Sequence, residues 1–131
     1  MEYLIDTTFL IGRWRQGKTS PEQRFIDDHP DAAAAMPWIV KAEFLRGGAL
    51  VAKPAAELEA FLSRYATVWV SETTLTKYVW IYVQLARTNA LIGANDLWIA
   101  ASALEHGIPL LTRNHREFRH VPDLEVIDYV R

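Results

Sequence analysis

The sequence contains no cysteine, which rules out disulfides, thiolate zinc sites and cysteine nucleophiles and agrees with a reducing compartment. Its apolar runs all fall well short of the roughly 18 residues of a membrane span, and no basic segment precedes a signal-like core at the N-terminus. A soluble, non-exported protein of the cytoplasm is expected. Glycine and proline number six each and form no linker, and no repeat or low-complexity segment interrupts the chain. With a formal net charge of −2 there is no global basic field, so any nucleic-acid contact has to come from local patches. The four histidines are scattered. His115 and His120 follow no HExxH-type spacing and read as solvated loop residues rather than zinc ligands.

What is present is a 131-residue chain, 50% hydrophobic, enough for one domain over residues 1–131 with its own core. Its pattern alternates strand and helix. Glu2 to Ile5 reads as a buried strand, followed by a helix from Thr7 or Thr8 through Trp14. Ser20-Pro21-Glu22-Gln23 supplies an N-cap, an N1 proline and a capping-box glutamine, predicting a helix to about Asp28. Ala33 to Met36 is a weaker strand, and Ile39 to Leu50 a helix carrying Glu43 and broken at Gly47-Gly48. Pro54 to Tyr65 is helical and Val68-Trp69-Val70 a strand. A long helix opens at Ser71, Glu72 or Thr73, with Val79, Ile81, Tyr82 and Leu85 among its apolar positions, and fades near Thr88-Asn89. Another runs from Asp96 to about Glu105 and stops at His106-Gly107. Pro109 to Thr112 and Val126 to Val130 complete the strands. Such alternation implies an α/β chain, a three-layer α/β/α fold with a mostly parallel central sheet and functional groups at the carboxyl ends of its strands.

Four acidic residues border apolar segments: Asp6 after Tyr3-Leu4-Ile5, Glu43 beside Phe44, Asp96 ahead of Leu97-Trp98-Ile99, and Glu117 before Phe118. Carboxylates so placed are costly to desolvate unless something positive neutralises them, and hard oxygen ligands from separate segments are what Mg²⁺ or Mn²⁺ takes. A metal-dependent hydrolase is the leading expectation. Each acid also has a plainer role open to it. Asp6, and Asn95 or Asp96, can cap helix N-termini; Glu43 can face solvent; Glu117 can be an exposed loop glutamate. Two basic patches, Arg13-Trp14-Arg15 with Lys18, and Arg113, His115, Arg116, Arg119 and His120, are either solvated faces or contacts for a polyanion.

Taken together, Leu4-Ile5-Asp6-Thr7-Thr8, Glu43 followed by Gly47, Asn95-Asp96-Leu97-Trp98-Ile99-Ala100-Ala101 and Leu111-Thr112-Arg113-Asn114-His115-Arg116-Glu117-Phe118 resemble PIN-domain nucleases, specifically VapC-type toxins. Order, spacing and length match over nearly the whole chain, and Pro122-Asp123-Leu124-Glu125-Val126 is similar to the closing strand of that group. The resemblance implies a PIN-like fold and a Mg²⁺- or Mn²⁺-dependent endoribonuclease, held in check by a cognate antitoxin and usually homodimeric. It implies Asp6, Glu43 and Asp96 as acidic metal ligands, Thr8 as the small polar position after the first acid, Thr112 and Asn114 as polar positions after the fourth strand, and Asn95 in support. Where the group commonly has Asp this chain has Glu117, which leaves open whether this fourth catalytic acid acts directly or through water. Carboxylates would hold the metal that activates a water for phosphodiester hydrolysis. Arg113, Arg116 or Lys41 would orient phosphates, and Trp14 would either stack a base or serve as a core or dimer contact. A haloacid-dehalogenase-like phosphatase needs a second acid where Thr8 stands, a receiver domain needs an adjacent acidic pair, and no P-loop occurs. The remaining alternative is a non-catalytic PIN-like module that binds RNA or protein.

Overall fold

A computed structural model describes residues 1–130. Strands β1 (Tyr3–Ile5), β2 (Ala34–Pro37), β3 (Ala66–Val68), β4 (Leu110–Leu111) and β5 (Val126–Ile127) form one sheet in the order β3-β2-β1-β4-β5, with every neighbouring pair parallel. Parallel neighbours cannot be joined by tight hairpins, so helices carry each connection. Between β1 and β2 lie α1 (Thr7–Gln16), one 3-10 turn (Gly17–Thr19) and α2 (Pro21–Asp28). Helices α3 (Trp38–Leu50) and α4 (Ala55–Leu62) lead to β3, α5 (Glu72–Arg87) and α6 (Ala94–His106) lead to β4, and the short α7 (His115–Phe118) precedes β5. Leu4 and Ile5 point to opposite faces of the central strand, and both are fully buried. Helices therefore cover both faces, as the alternating sequence predicted.

Local chemistry sets the helix ends. The Ser20 hydroxyl accepts from the Gln23 amide at 3.0 Å and Pro21 occupies the first turn. Gln23 does not complete the expected capping box: its side chain donates to Asp27 at 3.0 Å and accepts from Arg13 Nε at 3.1 Å. Ser71 and Thr74 do form one at the start of α5. Gly93 stands at the N-cap of α6, and Gly107 ends that helix in the left-handed region with φ 61°. On α6, Ile99, Ala100 and Ala103 are buried along the stripe that begins at Asp96.

Several boundaries differ from the sequence pattern. The break expected at Gly47-Gly48 does not occur, and α3 continues to Leu50. A Cβ on Gly48 would stand 2.5 Å from Leu58 Cδ1, so this glycine admits the close approach of α4 instead of ending a helix. β3 is shifted to Ala66–Val68 by its register with Ala35, Met36 and Pro37, which leaves Trp69 and Val70 exposed beyond the ladder. β4 and β5 are shorter than predicted, two residues each, and α7 was not foreseen. Among the described residues no helix is long and apolar enough to cross a membrane.

Candidate active site

The strand order reverses at β1, since β2 and β3 extend to one side of it and β4 and β5 to the other. A parallel sheet opens a crevice outside the carboxyl ends of its strands at such a point. Asp6 and Thr112 are the first residues past β1 and β4, whose ends are paired Ile5 to Leu111. Topology alone thus brings them together across 106 positions of sequence.

Asp6 is 3% exposed. Its Oδ1 accepts from the Phe9 amide at 3.1 Å, capping α1, and from the Thr8 hydroxyl at 2.6 Å, while Oδ2 accepts from the Thr112 hydroxyl. Helix cap and site residue are therefore the same side chain. Burial pushes the Asp6 carboxyl above its ordinary 3.8, and the donors Thr112, Thr8 and Phe9 counter that rise. The two hydroxyls are themselves held. Thr8 Oγ1 accepts from the Arg113 amide at 3.0 Å and lies 3.5 Å from Thr112 Oγ1, which accepts from the Asn114 amide at 2.9 Å.

The other three acids come from separate helices. Glu43 on α3 is half-buried, and its Oε1 accepts from the Thr7 hydroxyl at 2.8 Å, so it does not stand on a free solvent face. Asp96 lies in the first turn of α6, three residues past the Gly93 cap, so neither it nor Asn95 is the cap. Burial first, and then the negative charges of Glu117, Asp6 and Glu43, push the Asp96 carboxyl up to about 6 from its ordinary 3.8. The charges of the other three acids are thus felt at Asp96. Glu117 is exposed on α7, and its Oε2 accepts from Asn114 Nδ2 at 3.2 Å.

Among the described residues, no cationic side chain forms an ion pair with any of these four. Nor do any three histidine or acidic side chains there already close to ligating distance of one point. The donor set, all oxygen and all anionic, nonetheless fits a hard divalent cation. Mg²⁺ dehydrates reluctantly and takes one or two carboxylates directly while the rest bind through water, so a complete protein cage is not required.

The basic residues fare unequally. Arg113 does not have the free guanidinium that orienting phosphates would need: Nε and Nη2 each donate to Glu22 at 2.7 Å, and Nη2 also reaches Gln16 at 3.1 Å. Lys41 lies 3.7 Å from Glu59 in an exposed pair of little energetic weight. Arg116 is exposed and has no ion-pair partner among the described residues. Trp14 packs edge-on to Phe44 and Phe61, with centroids 5.7 and 4.9 Å away, which makes it part of the aromatic packing between α1, α3 and α4. Sequence reasoning passed over Thr7 and Glu22. The doubled hydroxyl Thr7-Thr8 was a usable signal for the first; a first-turn glutamate after Ser-Pro carries none for the second.

Residues 3–124 match the family described as PIN domain. Over 133 residues the chain is 32% identical to Ribonuclease VapC1 of Rickettsia felis, covering 97% of this chain and 96% of the relative. It is 26% identical over 134 residues to Ribonuclease VapC1 of Haemophilus influenzae, covering 100% of each. Among solved structures it is similar to VapBC2 from Rickettsia felis bound to a promoter DNA fragment, with TM-score 0.88, 25% identity, and 97% and 98% of the two chains covered. It is also similar to VapBC-1 from nontypeable Haemophilus influenzae, with TM-score 0.83, 28% identity and 98% of each chain covered.

Proposed function

This chain belongs to the PIN-domain family, among its VapC-type ribonucleases, and we propose that it hydrolyses RNA phosphodiester bonds with a Mg²⁺ or Mn²⁺ ion held by Asp6, Glu43 and Asp96. The observation that carries this reading is the buried Asp6 carboxylate at the strand-order reversal, which is held by neutral donors alone, with no cationic side chain paired to it or to Glu43, Asp96 and Glu117 among the described residues. Like charges kept together cost stability, and a bound divalent cation removes that cost.

When bound, such an ion supplies a nucleophilic water at neutral pH and stabilises charge on the reacting phosphate. The chain's own contributions are positional. Thr8 and Thr112 fix both oxygens of Asp6, Thr7 orients Glu43, and Asn114 holds Glu117, whose exposure and extra methylene relative to Asp suit an outer, water-mediated role. Arg116, exposed on α7 beside Glu117, is the residue we assign to phosphate contact; Lys41 serves it at a distance. A non-catalytic binding module would gain nothing from keeping four unpaired acids at one crevice.

Two partners are part of the reading. The similar solved structures are VapBC assemblies, which supports a cognate antitoxin that binds this chain and silences it. Helix α5 leaves Leu75, Val79, Trp80 and Tyr82 exposed, and this apolar face supports a homodimer. The role of a cytoplasmic toxin follows from these assignments. Purified protein should cut structured RNA with Mg²⁺ or Mn²⁺ and stop when the ion is chelated, and expression without antitoxin should arrest growth. Intact RNA at saturating metal, from soluble folded protein, contradicts the reading.

A further inference from the structure

Glu22 is a fully buried carboxylate that no step of the proposed chemistry uses. It lies in the first turn of α2, and its two oxygens receive the parallel N–H bonds of Arg113 at 2.7 Å each. A planar guanidinium meeting a carboxylate this way is fixed in direction as well as distance. Room for the pair comes from α1, where Gly12 is buried. A Cβ there would collide with the Glu22 carboxylate and stand 2.7 Å from Arg113 Nη2. Three segments, α1, α2 and the turn after β4, are thus shaped around one ion pair.

Arg113 sits between the two residues that hold the site together. Its own amide donates to Thr8 Oγ1 at 3.0 Å, the preceding Thr112 donates to Asp6 Oδ2, and the following Asn114 amide donates to Thr112 Oγ1 at 2.9 Å. The backbone here has just left a strand only two residues long, so little ladder hydrogen bonding restrains it. We propose that the Glu22–Arg113 pair is a positioning clamp: it pins the Thr112–Asn114 turn against α1 so that the Thr8 and Thr112 hydroxyls stay aimed at Asp6. The clamp touches no reacting atom. It acts on the acid through two hydroxyl groups, and groups that orient metal ligands in this way typically set metal affinity by about 10–100-fold. Its bearing on metal rests on the metal-dependent reading above, but its effect on the turn does not.

Two variants of the full chain separate positioning from mere stability. Arg113→Lys keeps the charge but loses the two-pronged geometry. The double variant Glu22→Met with Arg113→Met replaces the pair by apolar side chains of similar bulk, an exchange that buried ion pairs often tolerate without loss of stability. Amide hydrogen exchange is measured without metal, and binding of Mn²⁺ alone is followed by the spin resonance of the free ion. In both variants, folded by circular dichroism, protection of the backbone amides at positions 113 and 114 should fall about tenfold or more, the scale of one lost hydrogen bond. The amides of Leu4 and Ile5 should keep theirs, and the Mn²⁺ dissociation constant should rise about 10–100-fold. A folded double variant with wild-type protection at positions 113 and 114 overturns the clamp. Lost protection together with a wild type that binds no Mn²⁺ upholds the clamp and overturns the metal reading instead.

Discussion

Asp6 and Glu22 are both carboxylates with almost no solvent contact, 3% and 0% exposed, and the chain treats them in opposite ways. Glu22 receives a guanidinium at 2.7 Å on each oxygen. Asp6 receives two hydroxyls and an amide, all neutral, and together with Glu117 and Glu43 its negative charge raises the Asp96 carboxyl. A buried charge is expensive unless it is paired, so the first arrangement is complete in itself and the second is not. Basic residues were within reach of the second site: Arg113 sits one position beyond Thr112, yet its side chain turns away to Glu22. The contrast supports the proposal that the crevice outside β1 and β4 takes its positive charge from a bound ion.

The largest effect expected from this difference is on catalysis. Asp6→Asn, Glu43→Gln and Asp96→Asn should each lower metal-dependent RNA cleavage by about 100–1000-fold, the scale of losing one preorganised electrostatic contact at a reacting centre. Measured initial rates within a few-fold of wild type, in preparations free of contaminating nuclease, would break the comparison outright. A smaller effect should separate inner from outer acids. Glu117→Gln should shift the half-saturating Mn²⁺ concentration upward by about tenfold while leaving the rate at saturation near wild type. A variant as inactive as Asp96→Asn at high Mn²⁺ would move Glu117 to direct ligation. The smallest effect concerns the unpaired cation. Arg116→Gln should weaken RNA binding without metal and reduce the slope of log affinity against log salt by about one, whereas Arg113→Gln should leave that slope unchanged because its guanidinium is occupied by Glu22. The reverse order would reassign the phosphate contact.

Much of this site was legible in the sequence because it is built from residues next to strand ends and helix starts. The alternation of apolar runs and capping signals located β1, α1, α2 and α6 and so put Asp6, Asp96 and Asn114 near one edge of a parallel sheet. The choice between helix cap and ligand could not be made there; Asp6 does cap α1, and because its carboxylate also takes the Thr8 and Thr112 hydroxyls, the cap does not exclude the proposed ligand role. Gly47-Gly48 misled because a glycine that lets α4 approach looks the same in sequence as one that ends a helix. The limits of β3 and β4 were misjudged because register with β2 and β1, not side-chain type, decides where short strands stop. The pairing of Arg113 was hidden for a similar reason. Its partner Glu22 is 91 residues away, and nothing local distinguishes a guanidinium that faces a phosphate from one that is already paired.

The most direct test of the central claim is the melting temperature of wild type and Asp96→Asn, with and without Mn²⁺. The Asp96 carboxyl, raised to about 6 in the folded chain from 3.8, carries stability that is fully present below about pH 4 and lost as pH rises through 6. At about pH 7.5 without metal the wild type should therefore melt at or below the temperature of the Asn variant, and as the pH falls toward 4 that deficit should close. Mn²⁺ at a hundredfold excess over its dissociation constant should then stabilise the wild type by roughly 2.7 kcal/mol and the variant by much less, reversing their order. An Asp96→Asn protein that melts below wild type without metal and gains as much from Mn²⁺ would contradict the account.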